Sequence, residues 1–241
     1  MGKTGVGKTI LLNSLCGTSH KTDQAVGSVT QNLFRNDVNC GGYPFSLIDT
    51  PGTDSQTEAY KHAYLLKEAL TSCNINTIFI VISFDNRFER MFDTYLEIEQ
   101  YVCKNDAKIV VMVSHWDMSN NPTRHFREIC NLFDDYCSNI ICYFQRSASS
   151  QVANLMYDCI SNMDGTKLEI LDDDFFLKFN ICGIKGQMKK AFEEYKRKAD
   201  LLHKECADII PAVPLSERDD VLPMLIVEFK NQLDLLLEEL T

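Results

Sequence analysis

Eight residues at the start of the chain could do the most chemistry for their length: Gly2-Lys3-Thr4-Gly5-Val6-Gly7-Lys8-Thr9. They follow the spacing G-x-x-x-x-G-K-[ST] of a phosphate-binding loop. Glycines there let backbone N–H groups converge on an anion with no Cβ in the way. Lys8 offers a positive charge to the outer phosphates, and the Thr9 hydroxyl suits magnesium. A helix starting here aims its positive end at the same anion, so the candidate binding set runs through Ile10.

Asp49-Thr50-Pro51-Gly52 closes a second apolar segment, Tyr43–Ile48. An Asp at a strand end can hold a magnesium-bound water, and the Gly52 N–H can sense a terminal phosphate. Between Thr9 and that strand, Thr30 is the candidate for a further magnesium ligand, with Ser28 behind it. The metal set is therefore Thr9, Thr30 and Asp49, and the catalytic candidates are Lys8 and Thr30. Thr53 stands where a water-positioning glutamine is common, so unaided hydrolysis should be slow.

Ser114-His115-Trp116-Asp117 ends the next buried strand. A carboxylate there accepts from two donors on the guanine edge, a pair that adenine lacks, so Asp117 would select guanine with His115 beside it. The competing reading makes Asp117 a helix N-cap and leaves an ATPase open. Ser147 and Ala148, in Ser147-Ala148-Ser149, could supply a backbone N–H to the guanine oxygen. The implied cofactors are GTP or GDP and magnesium.

These segments must be positioned by something. The apolar pattern predicts helices over Thr9–Cys16, Ser55–Ser72, Phe92–Cys103, Thr123–Cys137 and Ser149–Asn162. Strands are expected over Gln31–Val38 and Tyr43–Asp49, joined tightly at Asn39-Cys40-Gly41-Gly42. Further strands, Thr77–Phe84, Lys108–Ser114 and Asn139–Phe144, are apolar without alternation. Such strands separated by helices indicate a parallel sheet covered on both faces, an α/β three-layer nucleotide domain over residues 1–164.

Residues 165–241 form a helical extension, with 165–184 unassigned. From Met188 through Phe192, Tyr195, Ala199, Leu202 and Cys206 to Ile209 the spacing alternates 4-3, a heptad-type stripe. It packs on its own domain or pairs with another chain. Leu222, Ile226, Phe229, Leu233, Leu236 and Leu240 share a face of the last helix. Lys189, Lys190 and Lys196-Arg197-Lys198 are interleaved with Glu193 and Glu194, a solvated face more than a lipid-binding one.

Composition sets outer bounds. With 45% hydrophobic and 24% charged residues, disorder is excluded. Apolar runs such as Ile78–Ile82 reach 5 residues, far short of the ~20 of a membrane span. The net charge of −10 argues against nucleic acid as the main partner. Ten cysteines without Cys-x-x-Cys spacing read as reduced thiols of a cytoplasmic protein, not a disulfide frame or zinc site. His20, His62, His125 and His203 show no ligand spacing and receive no role.

Several segments together resemble the immunity-associated, avirulence-induced-gene type of GTPase (AIG/GIMAP), a branch near septins and Toc receptors. They are Gly2–Thr9 with Asn13-Ser14-Leu15-Cys16-Gly17, then Ser28-Val29-Thr30, Asp49-Thr50-Pro51-Gly52 and the Arg-aromatic box Asn86-Arg87-Phe88. The match covers about residues 2–150. The resemblance implies GTP binding with slow hydrolysis and a homodimer formed across the nucleotide faces. It also implies C-terminal helices that attach to a partner or, peripherally, to a membrane.

In that family a buried strand precedes the phosphate loop, whereas here only Met1 precedes Gly2. The expectation is impaired folding or weak nucleotide affinity for this sequence. Three readings stay open: a slow GTPase switch, a nucleotide-locked scaffold with little turnover, and an inactive paralogue.

Overall fold

The computed structural model describes residues 1–16, 35–38, 44–50, 52–54, 59–102, 107–137, 139–144, 149–160, 165–170, 175, 178 and 187–238. In chain order, helix α1 (Lys8–Cys16) leaves the glycine loop and strands β1 (Arg35–Val38) and β2 (Phe45–Ile48) follow. Next come α2 (Ala59–Thr71), the short β3 (Asn74–Ile75), β4 (Thr77–Ser83) and α3 (Phe88–Glu99). The rest is β5 (Lys108–Ser114), α4 (Pro122–Phe133), β6 (Asn139–Cys142), α5 (Ser149–Cys159), the short β7 (Thr166–Lys167), α6 (Gln187–Ile209) and α7 (Arg218–Glu238).

Strands β4, β5 and β6 form a parallel sheet in that order, with Ile80 opposite Val111 and Val111 opposite Ile140. β-Branched residues dominate β4 and β5 because both faces are covered and a stiff branched side chain packs well on a pleated surface. Alternation then divides the interior. Ile80, Ile82, Val111 and Val113 enter one core with α2, α3, α4, α6 and α7. Val81, Val110, Met112 and Ile141 enter the other with α1 and α5. The result is three layers, as the sequence predicts. β1 and β2 pair antiparallel, Arg35 opposite Ile48, and β3 pairs antiparallel with β7.

Several helix ends differ from the sequence expectation, for local reasons that hydrophobic periodicity does not register. α3 begins at Phe88, not Phe92, because the Asp85 carboxylate accepts from Arg87 N–H at 2.8 Å and starts the turn early. It stops at Glu99, short of Cys103, where the bonds tighten to Tyr101 N–Ile98 O (3.2 Å) and Val102 N–Glu99 O (2.8 Å). α4 starts at Pro122, whose fixed φ suits a first helical position, and ends at Phe133 instead of Cys137. α5 ends at Cys159 with Ile160 N–H bonded to Tyr157 O at 3.0 Å. The expected connection at Asn39-Cys40-Gly41-Gly42 lies outside the described residues.

Met1 lies alongside β4. Its amino group donates to Phe79 O at 2.7 Å and its carbonyl accepts from Val81 N–H at 2.8 Å, the two bonds of a parallel bridge opposite Ile80. Burial pushes this amine down to about 5. Below the phosphate loop, a cavity lined by Leu12, Phe45, Leu47, Leu70, Phe79 and Met156 separates β2 from β4.

The heptad stripe of α6 packs within the chain. Tyr195, Ala199, Leu202 and Cys206 are buried in one core with Leu222, Phe229 and Leu233 of α7 and Leu66 of α2. Tyr195 OH donates to Leu233 O at 3.5 Å, tying the two helices together. Between the two helices, Pro211 sits within the short 3₁₀ turn Ile210–Ala212 and Pro214 immediately precedes a second, Leu215–Glu217. Among the described residues, Cys16, Cys73, Cys130, Cys137, Cys142, Cys159 and Cys206 are free thiols. No helix there is long and apolar enough to cross a membrane.

Candidate functional site

The glycine loop lies at the carboxyl end of β4, and its shape needs backbone that other residues avoid. Gly7 has φ +94°, in the left-handed region, and a Cβ there would face the His115 ring at 4.0 Å. Lys8 folds back into the loop, its Nζ donating to Gly2 O at 2.8 Å and Lys3 O at 2.7 Å. Burial lowers its pKa, while the carboxylates of Asp49 and Asp54 pull it back up. A desolvated ammonium held by weak carbonyl acceptors is poised for a stronger anion. The Lys3 ammonium meets the Glu97 carboxylate of α3.

The segment after β2 rests directly on this loop. Asp49 accepts Thr50 N–H at 2.9 Å, and the Thr50 hydroxyl is buried with no hydrogen-bond partner. Gly52 approaches so closely that a Cβ would stand 2.2 Å from Thr4 Oγ1 and 2.9 Å from Thr4 N. Behind it, His62 Nδ1 lies 3.2 Å from Gly52 O, a contact that no spacing rule signals. Two positions further, Asp54 Oδ1 accepts Thr4 N–H at 2.7 Å. Sequence reasoning missed Asp54, whose only signal is its place just beyond Gly52.

Ser114 opens the Ser114–Asp117 segment, and sequence reasoning assigns it no role of its own there. Its buried hydroxyl donates to Val6 O at 2.8 Å and lies 3.2 Å from Ile82 O, fastening the end of β5 to the phosphate loop. His115 follows at φ 55°, an uncommon conformation for a side chain with a Cβ. Its Nδ1 lies 3.0 Å from Ser114 Oγ and 3.4 Å from Ser83 Oγ. Asp117 is exposed in the 3₁₀ turn Trp116–Met118. The cap of α4 is Asn121, whose side chain accepts Arg124 N–H at 3.3 Å, so Asp117 does not cap that helix.

Aromatic rings brace this turn from below. Trp116 meets Phe84 edge-to-face at 5.2 Å, and Phe84 stacks on His125 at 5.6 Å. Phe88 of the Arg-aromatic box meets His125 edge-on at 5.4 Å. His125 Nδ1 lies 2.8 Å from Ser119 Oγ, which gives a structural part to a histidine left without one in the sequence reading.

The structure thus brings Gly2 to Lys8, Asp49, Gly52, His115 and Asp117 to one end of the sheet. The side chain of Thr9, and Thr30, Ser28, Ser147 and Ala148 altogether, lie outside the described residues. Among the described residues no group of three or more His, Cys, Asp and Glu side chains could hold a metal.

Residues 1–115 match the family described as 50S ribosome-binding GTPase. GTPase Der of Chlamydia abortus is 27% identical over 82 residues, covering 34% of this chain and 17% of that protein. Der of Cupriavidus taiwanensis is 24% identical over 124 residues (52% and 28%), and Der of Staphylococcus haemolyticus 22% over 174 (71% and 36%). The chain therefore spans between 17% and 36% of the length of these relatives. Among solved structures, a variant of SsGBP aligns with TM-score 0.49 and 18% identity over 65% of this chain and 53% of that one. Era in complex with MgGDPNP and a 16S ribosomal RNA segment aligns with TM-score 0.47 and 14% identity (72% and 58%). The likeness of residues 1–115 to that family is at the level of a G-domain fold, coarser than the immunity-associated branch.

Proposed function

We propose that the chain binds guanine nucleotide with magnesium and hydrolyses GTP slowly, exchanging GTP and GDP as a switch. The observation that carries this reading is the Lys8 ammonium folded among carbonyls of its own glycine loop with Asp49 beside it. In this reading Lys8 and the loop amides hold the phosphates, Thr9, Thr30 and Asp49 hold magnesium, and Gly52 reports the terminal phosphate. The metal, when bound, neutralises charge on the phosphate oxygens. Asp117 selects guanine from the turn that Trp116 anchors, with the amides near Ser147 and Ala148 completing the base site.

Within the P-loop GTPases we place the chain in the immunity-associated branch, on Ser28-Val29-Thr30 and Asn86-Arg87-Phe88. Its setting is cytoplasmic, in keeping with the free thiols, and nucleic acid is not among the proposed partners on a net charge of −10. Exposed Leu201, Met224, Val227 and Leu235 on α6 and α7 offer apolar surface to a partner or a membrane. The rival reading is a nucleotide-locked scaffold, favoured by the absence of glutamine at Thr53.

The single tryptophan tests the reading. Trp116 lies beside the proposed base site, so bound N-methylanthraniloyl-GTP with magnesium is expected to draw energy transfer from it. Unlabelled GTP should abolish the transfer and ATP should not. Equal competition by ATP would remove the role given to Asp117, and no transfer in the folded chain would remove the function. A turnover per protomer that rises with protein concentration separates a dimer-completed enzyme from a scaffold.

A further inference from the structure

Three carboxylates from outside the glycine loop surround its two ammonium groups. Asp49 and Asp54 both act on Lys8, and Glu97 pairs with Lys3. The positive charge of the loop is thus already met by carboxylates from neighbouring segments. Of the three carboxylates, Asp54 alone accepts a loop N–H, that of Thr4. Burial raises its pKa, but this is outweighed by hydrogen bonds from Thr4 N–H, the Thr4 hydroxyl and its own N–H, and by the Lys3 charge, so Asp54 stays ionised.

The place of this contact matters. Gly52, whose N–H is the proposed sensor of the terminal phosphate, packs on the same residue, with a would-be Cβ 2.9 Å from Thr4 N. Thr4 therefore marks the end of the loop that faces the outermost phosphate. A carboxylate already bonded there offers that phosphate an occupied donor and a like charge. A diphosphate, ending one group short, meets neither to the same degree.

We infer that Asp54 is a specificity-determining residue that sets how many phosphates the loop accepts, its carboxylate occupying the Thr4 N–H in competition with the third phosphate of a nucleoside triphosphate. The inference rests on the guanine-nucleotide reading of the site and deepens it. Without Asp54 in place the loop prefers the diphosphate less. Triphosphate binding requires the carboxylate to leave Thr4, which moves the Gly52–Asp54 segment off the loop. The occupied loop thereby passes its phosphate count to the chain that follows.

The test compares the unaltered chain with Asp54→Asn, a variant that keeps one acceptor oxygen for Thr4 N–H, turns the other oxygen into an NH2 donor and removes the charge that repels the third phosphate. Both are titrated with the N-methylanthraniloyl forms of GDP and of non-hydrolysable GMPPNP, read by transfer from Trp116, with circular dichroism as the check on folding. The expected result is a rise in GMPPNP affinity of about tenfold, slightly more than the ~5-fold that one like-charge contact at about 4 Å is worth in bulk water, as suits an exposed carboxylate, against less than about twofold for GDP. The change in ratio should shrink as salt is added. Equal changes for both nucleotides, or none, overturn the inference while leaving the nucleotide site standing. Binding of neither nucleotide by either protein overturns the reading of the site and this inference with it.

Discussion

Replacing Lys8 with methionine is expected to lower affinity for GTP by a factor of about 100 to 1,000, or about 3–4 kcal/mol, with the fold intact. Methionine keeps the unbranched apolar stem and removes the ammonium, so loop packing changes little. The loss is large because this charge is mostly desolvated before any ligand arrives. Its present acceptors are two neutral carbonyls, Gly2 O and Lys3 O. Phosphate oxygens outbid them, since they bring a full opposite charge to the ammonium where a carbonyl brings only a dipole. Isothermal titration of both proteins with GTP and magnesium is the check. Affinities within about threefold of each other would show that phosphate is held elsewhere.

Gly52→Ala is expected to have the next largest effect, and it acts through distance, not charge. The new methyl would stand 2.2 Å from Thr4 Oγ1, 2.9 Å from Thr4 N and 3.2 Å from Thr4 Cα. A threonine rotamer could move its hydroxyl away, but the backbone atoms cannot follow without opening the loop. Overpacking of this kind costs about 1–3 kcal/mol. The Asp49–Gly52 segment should settle away from Thr4, and the Asp54–Thr4 bond should be lost with it. In the proposed function, GTP turnover falls by about tenfold while GDP binding changes little, which single-turnover hydrolysis beside a GDP titration would reveal. Wild-type turnover in this variant would mean that the close approach of Gly52 to Thr4 plays no part in the reaction.

Much of the arrangement was legible because some residues announce their geometry. The glycine pattern around Lys8 fixes a loop, and the β-branched runs Ile78–Ile82 and Ile109–Val113 can only be strands covered on both faces. Lys108–Ser114 was read to the residue. Helix ends were less legible, since α3 starts where the Asp85 side chain supplies a bond that hydrophobic periodicity does not register. What Ser114 and Asp54 do was illegible for another reason. Each matters through a partner more than 40 positions away, Val6 and Thr4, and a short polar side chain at a strand end or in a loop gives no pattern to count. His125 belongs with them: only the fold places Phe84 and Phe88 around it.

The division of β5 between two interiors also says how the molecule should come apart. Val110 and Met112 face one core, Val111 and Val113 the other, and all four are fully buried. Neither layer can peel away while β5 stays paired with β4 and β6. Its amide protons should then be released to solvent only by global opening, whereas those at the end of α7, beyond Leu233, fray locally. In a deuterium-exchange time course β5 is expected to label last, and its protection to report the stability of the entire chain. Labelling of β5 as fast as α7 would mean that the two interiors open independently.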